Sequence, residues 1–309
     1  MSDSDYVIRN YRASDFNSFV RLKAEEAISS PTDGDVLPPQ TIRQYLERPN
    51  YSPEQDLFII ERAGNLIAYL DIWPEPIIAR AVLNCFVHPE HRRKRLATSL
   101  LDNALRRSGE IGAKVAHVNI RKKNTIARRA LSRLGFRLIR RSHELRIELD
   151  RIVIPETTTC AIRPLQAGEE SKLAEIQNLS FTGTWGFNPN TEEQIMYAIR
   201  IGNSTPEEIF LACEQDKPIG YCWTRMEHRA SPTTDETIGR IFMIGVDPDY
   251  RGRGVGKSVL LAGLVHLKSK GLRIVELTVD SKNRSARRLY RSVGFKTHDI
   301  SLWYEKPVP

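Results

Sequence analysis

Cysteine is scarce in this chain: Cys85, Cys160, Cys213 and Cys222 are the only four in 309 residues, and they fall at no paired spacing. A disulfide framework and a zinc cage are therefore both excluded as expectations. The seven histidines form no metal-spaced pairs, so metal chemistry is not expected either. No apolar run approaches the ~18 residues that a membrane helix needs. The opening MSDSDYVIRN is acidic and polar, unlike a basic-then-apolar signal peptide, and a soluble cytoplasmic chain is expected. What is present is length: 309 residues exceed one ordinary core and suit two domains of about 150 residues each.

The net charge of +8 is unevenly placed. Residues 1–90 carry 8 Lys/Arg against 14 Asp/Glu, residues 91–146 carry 17 against 3, and residues 147–309 carry 21 against 21. The basic stretch reads either as a solvated face or as a surface for phosphates or nucleic acid. Phe136 is the one Phe, Tyr or Trp within it, which argues against a stacking platform for single strands.

The chain repeats itself. DLFIIER (56–62) matches EIFLACE (208–214), and GNLIAY (64–69) matches DKPIGY (216–221), each pair reading as a strand hairpin. Ile8-Arg9 faces Ile162-Arg163, each followed by a polar turn and a helical pattern over 15–28 and 169–180. Val115–Ile120 matches Ile274–Val279 as strands, and NTIARRALSRLGF (124–136) matches NRSARRLYRSVGF (283–295). These matches define a domain over 1–150, a proline- and threonine-bearing linker over 151–160, and a second domain over 161–309. Each unit alternates helices and strands, the pattern of an α/β mixed sheet with helices on both faces.

The repeats differ at one loop. VDPDYRGRGVGKS (246–258) follows a strand and opens an apolar helix; VHPEHRRKRLATS (87–99) keeps the frame and loses all three glycines. A nucleotide P-loop would need glycine at 251, which is arginine, and the dinucleotide pattern fails in register. Glycine matters here because a pyrophosphate at a helix start is held by backbone N–H groups and the helix dipole, which side chains would obstruct.

The strand, the loop, the helix and N-x2-A-x3-Y-x3-GF (283–295) together resemble the GNAT superfamily of acyl-CoA-dependent N-acyltransferases over nearly the whole of both repeats. The resemblance implies two tandem domains with a mostly antiparallel mixed sheet and acetyl-CoA as co-substrate. Arg251, Gly252, Arg253, Gly254, Val255, Gly256 and Lys257 would hold its phosphates. The main chain of Ile244, Gly245 and Val246 would pair with its pantetheine arm, with Asn283 either touching phosphate or capping a helix. Tyr290 is implied as the acid that protonates the leaving thiolate, or else it is a core aromatic. Arg95 stands where Gly254 does and Leu131 where Tyr290 does, so the first domain is expected to be catalytically silent. The tandem plan is similar to the mycothiol synthase group, whose members acetylate the amine of a small cysteinyl glycoside. In that setting Trp185 and Phe187 would line an acceptor pocket, or serve as a local apolar anchor.

One residue departs from the pattern. Many GNAT enzymes carry a glutamate eleven residues before the loop's first arginine, and that position here is Arg240, which cannot act as a base. Glu236 shares its strand face by parity but lies ~13 Å further back; Glu227 is another distant option. Arg240, Phe242 and Ile244 should share one face over the acceptor cleft, with Arg240 as an acceptor-site residue or paired with Glu236 or Asp235. Two function classes follow: an N-acetyltransferase acting on a small amine, as monomer or homodimer, or an acyl-CoA sensor without turnover. Docking of nucleic acid through 91–146 has only the charge in its favour.

Overall fold

Both repeats begin on a short strand whose arginine folds back onto an acid six residues on. In β1 (Val7–Asn10) Arg9 makes a bidentate pair with Asp15 at 2.7 and 2.8 Å, and Asp15 also accepts the Arg12 N–H. Arg163 makes the same pair with Glu169 at 2.6 and 2.9 Å, and Glu169 accepts the Gln166 N–H. The guanidinium of Arg163 holds the Glu169 carboxyl down to about 2 from its ordinary 4.5. A depressed carboxylate contributes stability above its unfolded pKa, and that stability is lost as pH falls through the folded value. Glu169→Gln is therefore expected to lower the unfolding free energy by about 1 kcal/mol at neutral pH, since water screens part of the pair. Urea melts should show the gap between variant and wild type closing as pH approaches about 2; a gap independent of pH would refute the assignment.

The computed structural model describes residues 6–29, 36–151, 160–201, 204–231 and 234–309, so most of the expected linker, 152–159, lies outside the described residues. The first unit is built from β1, α1 (Phe16–Ser29), α2 (Pro39–Leu46), α3 (Pro53–Asp56), β2 (Leu57–Arg62), β3 (Asn65–Glu75), β4 (Arg80–Val87), α4 (Leu96–Glu110), β5 (Val115–Arg121) and α5 (Thr125–Arg133). Next in the chain come β6 (Arg137–Glu148) and then the second repeat. That repeat comprises β7 (Ala161–Pro164), α6 (Glu170–Phe181), α7 (Glu192–Ile201), β8 (Ile209–Glu214), β9 (Lys217–Ser231), β10 (Thr234–Val246), α8 (Val255–Ser269), β11 (Ile274–Asp280), α9 (Arg284–Val293) and β12 (Lys296–Pro307). The repetition extends to irregularities: the hairpin registers slip at Ile60/Glu61 and at Ala212/Cys213, equivalent positions in the two alignments.

The two compact units do not follow the expected boundaries. The first ends its main segment at Arg141 and regains Ser301–Pro309; the second runs from Ser142 to Arg229 and resumes at Asp235 as far as Ile300. In the first unit the tail of β12 pairs antiparallel with β5, Leu302 opposite Ile120 and Tyr304 opposite Val118. In the second, residues 142–148 of β6 pair with β11, Leu145 opposite Leu277. Each sheet is thus completed by the closing strand of the other repeat. Each closing strand carries inward apolar residues, Leu145 and Ile147 in one and Leu302 and Tyr304 in the other, and either can satisfy an open edge by register alone.

Within the second unit β7 with β8, β8 with β9 and β6 with β11 pair antiparallel, and β10 with β11 parallel. One face packs Val259, Leu260, Leu264 and Leu267 of α8 on Val275, Leu277, Leu145 and Ile147. The other face packs Leu173, Ile176 and Ile195 from α6 and α7 on Leu211, Tyr221 and Trp223. Helices on both faces of a mixed sheet are what the sequence pattern predicts. No helix among the described residues is long and apolar enough to cross a membrane.

Candidate active site

β10 and β11 run parallel but are registered only at Gly239–Val275 and Arg240–Glu276. Beyond those pairs β10 continues to Val246 and β11 to Asp280, so the strands part and the main chain of Ile244–Val246 has no ladder on that side. Backbone groups in that position need another partner, and an extended amide chain can supply one as an added strand. Ile241 and Ile244 pack toward α8. Phe242, by contrast, lies edge-on against Trp223, and Met243 joins the cluster on the α6 side. Alternation therefore breaks between Phe242 and Met243, as at a β-bulge. The expectation that Arg240, Phe242 and Ile244 share one face fails at Ile244 for this reason. The break turns Gly245 toward α6, where a Cβ would meet Ser180 Cβ at 2.6 Å and Tyr221 Cε1 at 2.7 Å; a side chain would not fit.

At the end of β10 the chain makes a short turn capped by Asp247, whose side chain accepts the Asp249 N–H at 3.0 Å. α8 then starts on Gly254, with φ of 85°, and Gly252 precedes it at 80°. The first N–H groups of a helix have no intrahelical acceptor, and this start, with Val255 and Gly256 behind it, aims them out of the loop. Arg253 and Lys257 are exposed beside it. Arg251 is used differently from the expectation. Its Nη2 donates to the Ser180 carbonyl at 2.8 Å and its Nε to the Val246 carbonyl at 3.3 Å, tying the loop to α6 and β10. Arg92 repeats the second of these bonds in the first unit, to Val87. There Arg93 and Arg95 hold the same left-handed turns, with φ of 64° and 58°, so the loop kept its shape after losing its glycines. Below that loop His88, Glu90 and His91 bring ligand-type atoms within 4.8 Å of one another, a proximity the histidine spacing did not suggest.

Asn283 caps α9 by accepting the Ala286 N–H at 3.1 Å, as Asn124 caps α5; of its two expected roles this is the visible one. α9 buries Tyr290 at 5% exposure, edge-on to Phe295. Burial pushes the phenol well above its ordinary value, so the proton stays on it and the group suits a donor. Tyr221 lies within electrostatic reach of Tyr290 and is fully buried, its phenol also pushed up. The Ser180 hydroxyl is buried without a hydrogen-bond partner, and the Tyr221 hydroxyl is buried beside Gln177. An orphaned hydroxyl such as that of Ser180 calls for an outside polar group. With the unladdered edge of β10 and the left-handed helix start, it fits the amide arm and phosphates of an acyl-CoA.

Arg240 is not an unpaired cation. Its Nη2 donates to Thr278 Oγ1 at 2.8 Å, its Nε lies 3.4 Å from Glu227, and Glu144 is 3.8 Å away. Glu236 stays at the start of β10, half-buried and outside this group, so the expected pairing with Arg240 is replaced by Glu227 on β9. Glu144 was not foreseen: it comes from β6, a strand the repeat alignment assigns to the other domain. Trp185 is part-exposed and Phe187 half-buried in the segment after α6. That segment is clipped by Asn178, which donates to the Asn190 carbonyl and accepts its N–H.

The comparisons agree with this geometry. The chain matches the acetyltransferase (GNAT) family twice, over residues 22–136 and 171–295. A protein named mycothiol acetyltransferase from Thermomonospora curvata is 30% identical over 256 residues, covering 80% of each chain. Another of that name from Streptomyces coelicolor is 24% identical over 97% of this chain and 98% of its own. In fold, the chain is similar to a GCN5-related N-acetyltransferase from Sphaerobacter thermophilus, with a TM-score of 0.73 at 24% identity, covering 100% of this chain and 97% of that one. It is also similar to a tandem GNAT protein from the clavulanic acid biosynthesis pathway, with a TM-score of 0.72 at 14% identity over 98% and 99% of the two chains. Two matched repeats, a parted strand pair and a left-handed helix start converge on one conclusion: the chain belongs to the GNAT family and is an acetyl-CoA-dependent acetyltransferase of that type.

Proposed function

We propose that acetyl transfer takes place in the second unit, to the primary amine of a small molecule, and that the first unit is catalytically silent. The observation that carries this is the pairing, within one unit, of Gly254 at the helix start with the buried Tyr290, where the first unit has Arg95 and Leu131. The name of the relatives supports a small-molecule acceptor. Acetyl-CoA supplies, when bound, an acetyl group activated as a thioester. The main chain of Ile244–Val246 and the orphaned hydroxyl of Ser180 orient its arm. The N–H groups around Gly254, with Arg253 and Lys257, hold the phosphates. Tyr290 Oη gives its proton to the departing sulfur as the amine nitrogen takes over the acetyl carbon. Glu227, held by Arg240 and partly open to water, takes the proton that the amine gives up, through solvent.

The second reading, an acyl-CoA sensor, draws on Arg240 in the position of the missing glutamate. One experiment separates them. Calorimetry with acetyl-CoA should show one site per chain, and a thiol-release screen of amines should show turnover. Binding without thiol release from any amine would favour the sensor, and turnover lost with Leu131→Met but kept with Tyr290→Phe would contradict a silent first unit.

A further inference from the structure

Arg225 on β9 is half-buried, with its Nε fully enclosed, and it forms no ion pair among the described residues. Its guanidinium lies 3.3 Å from the ring centre of Phe242 and 4.8 Å from that of Trp223. One nitrogen donates to the Ala198 carbonyl near the end of α7 at 2.6 Å, and Nε is buried with no partner. Among the described residues no carboxylate pairs with it. Glu227, next on the same strand face, pairs with Arg240 at 3.4 Å and lies 3.9 Å from Arg229. Burial brings the Arg225 pKa down to about 10; the more distant carboxylates of Glu227 and Glu208 pull it up only in part, and Arg240 pushes it down. A helix-end carbonyl offsets only part of the cost of burying a cation.

The first unit supplies the comparison. There Arg48 is enclosed by Tyr45, Tyr51 and Trp73 at 4.2, 3.3 and 4.6 Å, and it is paired with the buried Asp71 at 2.9 Å. With Tyr69 aligned on Tyr221, Asp71 corresponds to Trp223 and Trp73 to Arg225. One unit thus sets a caged arginine against its own carboxylate. The other places an arginine from a different position, that of Trp73, against aromatic rings and has no carboxylate paired with it. The cage is not closed: Phe242 is 37% exposed, and it sits on β10 beyond the last pair with β11, where the strands part.

Resting on acetyl transfer in the second unit, we infer that Arg225 binds a carboxylate of the acceptor, and that the acceptor is an amine bearing such a carboxylate. Arg225 is four residues along β9 from Tyr221, or ~13 Å at the Cα level. The carboxylate therefore lies several bonds from the reacting nitrogen, as in an ω-amino acid or a short peptide. The planar guanidinium suits a carboxylate better than an ammonium would.

The test pairs ω-amino acids of graded chain length with their carboxamides in an acetyl-CoA thiol-release assay on the full chain. The acid of best length should exceed its amide by at least about tenfold in kcat/KM. Arg225→Leu should bring that ratio to about one and Arg225→Lys should keep part of it, with acetyl-CoA affinity unchanged in both by calorimetry. Equal use of acids and amides by the wild type, or a preference that survives Arg225→Leu, overturns the inference and leaves acetyl transfer standing. Acetyl-CoA binding with no thiol release from either series overturns it as well. Absence of acetyl-CoA binding overturns instead the reading on which it rests. Should Arg225→Leu fail to fold, the wild-type ratio and Arg225→Lys still decide.

Discussion

Tyr290→Phe is expected to lower kcat about a hundredfold, the ordinary scale for losing a positioned acid, while the KM for acetyl-CoA stays within about twofold. The change deletes one oxygen from a side chain that is 5% exposed and packs edge-on to Phe295, a contact phenylalanine keeps. Folding should therefore be unaffected, and a melting curve checks this. Because burial raises the phenol, the wild-type rate should show no loss from Tyr290 ionisation as pH climbs through the ordinary tyrosine range. Leu131→Met, at the matching buried position of the first unit, is the control and should leave kcat alone. Steady-state kinetics with a working amine settles the point: equal losses at Tyr290 and Leu131 would show that the roles of the two units are misassigned.

Much of this was legible in the sequence, for reasons that differ from residue to residue. Repetition exposed the hairpins and the helix pairs because each element kept its apolar period. Asn283 was legible as a cap because its twin Asn124 heads the matching helix. The glycine loop was legible because left-handed turns at 252 and 254 favour glycine. Three things were hidden. Parity along β10 failed because one bulge reverses every residue after Phe242. Glu144 joined the second unit because β6 completes its sheet, and nothing in a strand's own sequence says which edge it will take. The missing ion pair at Arg225 was invisible because the lack of a carboxylate partner is a property of the packed molecule and not of any spacing.

Gly254→Arg is expected to weaken acetyl-CoA binding about thirtyfold, near 2 kcal/mol. Two costs need separating. A non-glycine residue in the left-handed region costs about 1–2 kcal/mol of backbone strain, which could unfold the loop and mimic a binding defect. The first unit shows that this frame tolerates such strain, since Arg95 holds φ of 58° at the start of α4 with Arg93 at 64° beside it. The Arg251 bonds to Ser180 and Val246 anchor the loop independently of residue 254. The loop of the variant should accordingly keep its shape, and the lost affinity should come from a long side chain standing where a phosphate must approach the N–H groups of α8. Gly254→Ala separates the two: it carries the strain without the bulk, and should lose no more than about fivefold by calorimetry. An alanine variant as weak as the arginine one would place the defect in the backbone, and unchanged affinity in the arginine variant would remove the helix start of α8 from the acetyl-CoA site.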